Sequence, residues 1–172
     1  MMLEGTAEHP RPMVQASLPI RFEDFYLEGF RDLCASMWLI TRNRHEAEEI
    51  AQDAFLKILE RWDRVRDLDD PEGYLYRTAI NVWRSRRRRA SVALRKAVGA
   101  TSRDDSIVAA EQRVDLMRGL AALTARQRAA LVLTDLVGLT SEEAGKALGV
   151  RPSTVRVLAA RGRASMKEGI ER

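Results

Sequence analysis

The residues best equipped for chemistry in this chain are its arginines. Arg84-Ser85-Arg86-Arg87-Arg88-Arg89 is the densest basic run, and 25 of the 29 basic residues are Arg rather than Lys. A guanidinium forks onto phosphate and onto guanine better than an ammonium does, although an Arg bias also follows genome base composition. Basic and acidic residues are segregated. Gly73 to Arg103 carries 9 basic residues and no acidic one, whereas Thr41 to Glu72 carries 10 acidic against 6 basic. An acidic stretch followed by a basic one suggests two different partners. Solvated helix faces that happen to differ are the alternative.

A second constellation lies near the C-terminus. Two helices crossing around a tight turn need a small residue where they touch, a glycine to break the first helix, and apolar residues at set places. Counting from Ser141, Ala144, Gly145, Leu148, Gly149, Val150, Val155 and Leu158 fill those places. Pro152 suits the first turn of the second helix. That helix would expose Ser153, Thr154, Arg156 and Val157 at the end that meets base edges in a major groove. Arg151, Arg161 and Arg163 would lie along phosphates. The spacing therefore predicts a DNA-binding helix-turn-helix; an ordinary helical hairpin with a glycine turn is the other structure it can make.

Enzyme chemistry finds little support. The histidines are His9 and His45, and no Gly-rich phosphate loop, metal-ligand spacing or Ser-His-Asp set is visible. No catalytic residue, metal site or cofactor is expected. Cys34 is the single cysteine, which allows no internal disulfide and fits a reducing cytosol.

The elements that must position these residues read as helices. With 172 residues, 45% apolar and 31% charged, the chain can bury a core and suits one domain or two small ones. Its longest apolar run, Ala129 to Leu133, is too short to cross a bilayer. Residues 1–20 hold Pro10, Pro12 and Pro19 and no apolar segment of a secretory signal, and read as a disordered tail. Phe22, Phe25, Tyr26, Phe30, Leu33, Met37 and Ile40 recur at helical steps. Ala47, Ile50, Ala51, Ala54, Phe55, Ile58, Leu59 and Trp62 form the clearest stripe. Asp67 to Gly73 is a break, after which Pro71 opens a helix carrying Tyr74, Leu75, Ala79, Val82 and Trp83 into the arginine run. Ser91 to Ala110 has no strong period and reads as a linker. Four helical segments follow, the first over 111–122. Thr124 with Gln127, and Thr140 with Glu143, form capping boxes for later ones. No period-two strand is seen. The chain is thus expected to be all-α, with a tail (1–20), a helical domain (21–89), a flexible linker (90–110) and a helix-turn-helix domain (111–172).

Three stretches resemble the bacterial sigma factors. Arg44-His45-Glu46-Ala47-Glu48-Glu49-Ile50-Ala51-Gln52-Asp53-Ala54-Phe55-Leu56 resembles their polymerase-binding region. Pro71-Glu72-Gly73-Tyr74-Leu75-Tyr76-Arg77-Thr78-Ala79-Ile80-Asn81 is similar to their promoter-melting helix. Leu123-Thr124-Ala125-Arg126-Gln127-Arg128 is similar to the start of their C-terminal domain, where proline is more usual than Thr or Ala. The likeness covers roughly 21–89 and 111–167, and the two-domain architecture is that of the extracytoplasmic-function (ECF, group IV) members.

The resemblance implies roles. Glu48, Glu49, Gln52 and Asp53 would dock on the clamp of core RNA polymerase, where a solvated face is the alternative. Tyr74, Tyr76, Arg77 and Asn81 would face promoter DNA, as would Arg84, Arg86, Arg87, Arg88 and Arg89. Aromatic rings can stack unpaired bases while arginines hold the strand, but core packing is open for each ring, Trp83 included, and Asn81 can instead cap locally. Leu75 and Val82 look like core. Arg66, Asp67 and Asp69 sit where the family captures a flipped base. Asp104 and Asp105 of the linker would probe the active-site channel. The resemblance implies a cytoplasmic monomer that brings polymerase to promoters and helps melt them, with an anti-sigma protein as a further partner and no membrane insertion. Two features depart from the pattern: Val157-Leu158 replaces a small polar and a basic residue, and the N-terminal tail is longer than a minimal member needs. A one-component regulator that dimerises on paired half-sites is the rival reading; it accounts for the helix-turn-helix but not for the acidic and arginine-rich helices.

Overall fold

The structure is a computed structural model that describes residues 21–96 and 118–170; all described elements are helical. The expectations for residues 1–20, for most of the 90–110 linker with Asp104 and Asp105, and for the start of the 111–122 helix lie outside the described residues.

The N-terminal half contains α1 (Phe22–Thr41), α2 (Arg44–Leu59), the single turn α3 (Trp62–Val65) and α4 (Pro71–Lys96). Helix α1 closes on Arg42 in the left-handed region at φ 60°, its N–H returning to the Trp38 carbonyl at 2.7 Å. Asn43 then caps α2, its side chain accepting from the Glu46 N–H at 2.9 Å. The expected stripe of α2 is buried from Ala47 through Ile58. Leu59 departs from it: the residue is half exposed, because the helix ends there and a residue one step beyond Ile58 points about 100° away. Trp62 belongs to the next turn, α3, where its ring lies tilted against Phe25 with ring centres 5.2 Å apart. Phe22, Phe25, Tyr26 and Phe30 surround Phe55, the Tyr26–Phe55 edge contact being 5.0 Å, and this ring cluster joins α1 to α2.

Asp70 starts α4. Its carboxylate accepts from the Gly73 N–H at 2.7 Å, so close that a Cβ on Gly73 would collide with it. Helix α4 runs on to Lys96, seven residues past the expected end of the domain at Arg89. None of those residues is Gly or Pro, and most are good helix formers, so the helix has no local reason to stop.

The C-terminal half contains a short helical stretch over 118–121, α5 (Ala125–Leu131) running into a π-helical turn (Val132–Leu136), α6 (Ser141–Leu148) and α7 (Pro152–Ile170). Both expected capping boxes are present, at Thr124 with Gln127 and at Thr140 with Glu143. The π turn has no counterpart in the sequence reading. Gly149 ends α6 at φ 66°, and a Cβ at Gly145 would stand 2.9 Å from the Val150 carbonyl. Both glycines are therefore needed for the tight turn between α6 and α7.

The two halves pack together, α5 on α1 and α6 on α4. One apolar cluster runs from Leu33, Ile50 and Ile80 into Leu133, Leu139 and Ala144. Arg128 is buried at the junction, its Nε donating to the Ile40 carbonyl at 3.0 Å and its Nη1 to those of Leu123 and Leu120 at 2.7 and 3.2 Å.

Candidate nucleic-acid interface

Helix α7 presents one polar and one buried side. Val155 and Ala159 are buried, Leu158 is half-buried, and Arg151, Ser153, Thr154, Arg156 and Val157 are exposed. The exposed set lies at the N-terminal end, the position from which a helix-turn-helix reaches base edges. Arg161 is exposed further along. Arg163 is not presented alone: Nη1 donates to both carboxylate oxygens of Asp135, at 2.9 and 2.8 Å. Burial pushes the Asp135 carboxyl up, but hydrogen bonds from Thr134 and Arg163 outweigh it and hold the group below its ordinary range. A phosphate at Arg163 would have to share it with Asp135.

Helix α4 distributes its expected DNA residues over several environments. Arg77 lies over the half-buried Tyr74 ring, 5.9 Å from its centre, and 3.8 Å from Asp70. Asn81, Arg87, Arg88 and Arg89 are exposed, and the Arg87 guanidinium covers the buried Trp83 ring at 5.2 Å. Arg66 and Asp69 are exposed in the loop before α4, Arg66 beside Asp63 at 3.3 Å and Asp67 at 3.9 Å. Leu75 and Val82 are core.

Three of the expected DNA residues are placed elsewhere. Arg84 is half-buried and reaches the C-terminal half, its Nη1 donating to the Ala147 carbonyl of α6 at 3.1 Å. Tyr76 is buried with its hydroxyl 3.4 Å from Ser36 Oγ, and burial pushes its phenol up. Its ring fills the gap between α4 and α1 and offers no face to a base. Arg86 points at α2 instead of solvent: Nη1 donates to Glu49 at 2.6 Å and Nη2 to Asp53 at 2.7 Å. The hydrogen bond to Asp53 is the main cause that raises the Arg86 guanidinium further, so it is always charged. Val82 and Arg86 are one turn apart, and Ala79 precedes them on the same buried face. The four-residue step was therefore the available signal, masked by the arginines around it.

The acidic face of α2 is thus partly occupied from within. Gln52 is exposed, whereas Glu48, Glu49 and Asp53 are half-buried, with Glu48 paired to Arg44 at 3.0 Å. Glu46 joins them: burial pushes its carboxyl up while Arg86 and Arg87 pull it down. A groove of about 410 Å³ lies there, lined by Glu46, Asp53, Arg86, Arg87 and Arg89.

Comparison with known families decides the identity. The model of Sigma-70 region 2 matches residues 26–92, and that of Sigma-70, region 4, matches residues 113–166. The chain belongs to the extracytoplasmic-function sigma factors. Among curated ECF relatives, it is 30% identical to the ECF RNA polymerase sigma factor SigE of Mycolicibacterium smegmatis, covering 95% of this chain and 66% of that one. It is 28% identical to the RNA polymerase sigma-E factor of Streptomyces avermitilis, over 88% and 86% of the two chains. Solved sigma factors share the fold. RpoE of Bartonella quintana, in complex with the anti-sigma factor NepR, superposes with a TM-score of 0.76 at 22% identity, covering 87% of this chain and 96% of that one. CnrH, in complex with the cytosolic domain of CnrY, gives 0.54 at 22% identity over 86% and 85%. As an ECF sigma factor the chain is a transcription initiation factor, and such factors are regulatory proteins rather than enzymes. No helix among the described residues is long and apolar enough to cross a membrane.

Proposed function

We propose that this chain binds core RNA polymerase through the exposed side of α2, recognises promoter DNA with both halves, and helps separate the strands. The observation that carries the reading is the side-by-side placement of two unlike surfaces on α2 and α4, with a helix-turn-helix in the same chain. Gln52, with Glu48, Glu49 and Asp53 around it, offers a polar, acidic contact for a basic partner helix. Arg84, Arg87, Arg88 and Arg89 would hold the backbone of a melted strand, with Tyr74, Arg77 and Asn81 at the N-terminal end of the same helix. Arg66 and Asp69 would meet a base extruded at the loop. Arg151, Ser153, Thr154, Arg156 and Val157 would read the upstream element, and Arg161 and Arg163 would contact phosphate. The functional units would be 21–89 and 111–172, with 90–110 passing between them, and the factor would act in the cytoplasm where polymerase is.

An anti-sigma protein is a further proposed partner, since solved relatives are held by one. The test of the main reading is direct. The purified chain is mixed with core polymerase and genomic DNA of its own source, and transcripts are mapped. Starts that depend on this chain and share an upstream sequence support it; core polymerase that gains no promoter preference overturns it.

A further inference from the structure

We propose that Arg86 is a positioning residue of the polymerase dock. Its guanidinium fixes the Glu49 and Asp53 carboxylates beside Gln52, so that α2 meets core polymerase with its acceptors already in place. The inference rests on the reading of α2 as the dock and names the residue of the other helix that shapes it.

The need for such a residue starts in α2 itself. Glu49 and Asp53 are one turn apart on the side of the helix that carries Gln52. Two like charges at that spacing repel. Free carboxylate side chains also lose rotamer entropy when a partner orders them. Arg86 offsets both costs. It directs Nη1 to Glu49 Oε2 at 2.6 Å and Nη2 to Asp53 Oδ2 at 2.7 Å. Two carboxylates and one guanidinium leave a single net negative charge in place of two. The Glu49 and Asp53 side chains are still 44% and 43% exposed, so each is held from one side and open on the other. Arg86 engages one oxygen of each. Asp53 Oδ1 has no hydrogen bond among the described residues, and Glu49 Oε1 lies 3.5 Å from Nε2 of the exposed His45. Those second oxygens are what a basic partner helix would meet.

The place of Arg86 on α4 suits the task. Val82 and Trp83 are the last buried side chains described on that helix. Arg86 is one turn beyond Val82, where the buried side of α4 has ended and a long side chain still reaches α2. Among the described residues, Arg87, Arg88 and Arg89 make no ion pair with the α2 carboxylates. A lysine at 86 would keep the charge but not the planar fork that holds two acceptors at once.

The experiment measures association and dissociation of the full chain with dye-labelled core polymerase by stopped flow, across a salt series. The native chain is compared with Arg86→Gln, Arg86→Lys and Gln52→Arg, each checked for native helix content by circular dichroism. Arg86→Gln frees the two carboxylates and should dissociate about tenfold faster. It also adds one net negative charge to the dock, so its association should be faster at low salt and should fall more steeply as salt rises. Loss of packing alone would not steepen that dependence. Arg86→Lys keeps the charge, so its association should follow salt as the native chain does, while dissociation is still several times faster. Native dissociation of Arg86→Gln would overturn the proposal. So would an unaltered salt dependence of its association, which would reduce Arg86 to packing. Native dissociation of Arg86→Lys would also overturn it, because charge without the fork would then suffice; this variant decides alone if the Gln form loses helix content. Gln52→Arg identifies the remaining case: if it binds core polymerase as the native chain does, the dock lies elsewhere, and the reading of α2 falls together with the inference.

Discussion

Arg86 Nη2 donates to Asp53 Oδ2 across 2.7 Å, and this pair, with the neighbouring bond to Glu49, ties the arginine-rich helix to the acidic one. The two surfaces expected to serve different partners therefore share a residue. Arg86 separates from its neighbours in what it should do. Arg86→Gln should cost about 1 kcal/mol of stability, a charge-assisted bond discounted for partial exposure. It should leave the salt dependence of DNA binding almost unaltered. Arg88→Gln should do the reverse, flattening the slope of log K against log salt by ~0.7–0.9 with stability unchanged. Urea unfolding and filter binding across a salt series measure both, and equal slope changes for the two variants would contradict the placement of Arg86.

The pairing also alters how the polymerase contact should be probed. Replacing Asp53 would leave Arg86 without half of its partners and confuse docking with folding. Gln52 is exposed on the same helix. Gln52→Arg should weaken core-polymerase binding at least tenfold while helix content and unfolding midpoint stay native. An unaltered titration with labelled core enzyme would remove Gln52 from the interface.

Arg128 gives a stability test. No carboxylate accompanies its guanidinium among its hydrogen bonds, which go to three backbone carbonyls, and burial lowers its pKa. Arg128→Met should take the side-chain donor from the Ile40 and Leu123 carbonyls, while the Leu120 carbonyl keeps the Leu123 N–H, and cost about 2–4 kcal/mol. Arg126, exposed two residues earlier, should tolerate the same change with less than about 0.5 kcal/mol lost. Chemical unfolding of both variants decides the comparison.

Asp135 gives a pH test. Its folded carboxyl lies below its ordinary value, so its contribution is present above that value and is lost as pH falls through the folded one. Asp135→Asn should therefore flatten the acid limb of the stability profile below about pH 4. Identical acid limbs for the two proteins would show that the pair with Arg163 does not contribute.

Much of the framework was legible because it is local. The stripe of α2, the cap at Thr140 and the turn at Gly149 each follow from residues within one or two turns of chain, and each is found where spacing places it. The misplaced residues are those decided at a distance. Tyr76 lies on the inner side of α4 within the apolar cluster it shares with α1, where its hydroxyl lies 3.4 Å from Ser36, 40 residues earlier. Arg86 is turned from solvent by carboxylates more than 30 residues away. A run of arginines reads as one surface in sequence, but a helix rotates about 100° per residue, so Arg86 points away from Arg84 and Arg88, which lie one turn apart on the other side. The end of α4 was missed for the opposite reason: loss of apolar period marked where packing stops, while the helix itself continued to Lys96.

The recognition helix carries the last expectation. Arg156 is exposed next to buried Val155, which places its guanidinium on the open side of α7 one turn from the helix start. There it can fork onto a guanine, a contact worth ~1–3 kcal/mol of discrimination against other bases. Arg156→Ala should relax preference at one position of the upstream element and leave core-polymerase binding alone, because the α2 surface is in the other half. Val157, also exposed, should contribute through contact with a thymine methyl, so Val157→Ser should shift preference at a neighbouring position by less. Val155→Asp should behave differently from both, unfolding the C-terminal half by burying a charge in the apolar cluster that holds α7. Site selection from a random upstream element by holoenzyme made with each chain separates these outcomes. If the Arg156→Ala holoenzyme selects the same sequence with the same stringency as the native one, Arg156 does not read a base.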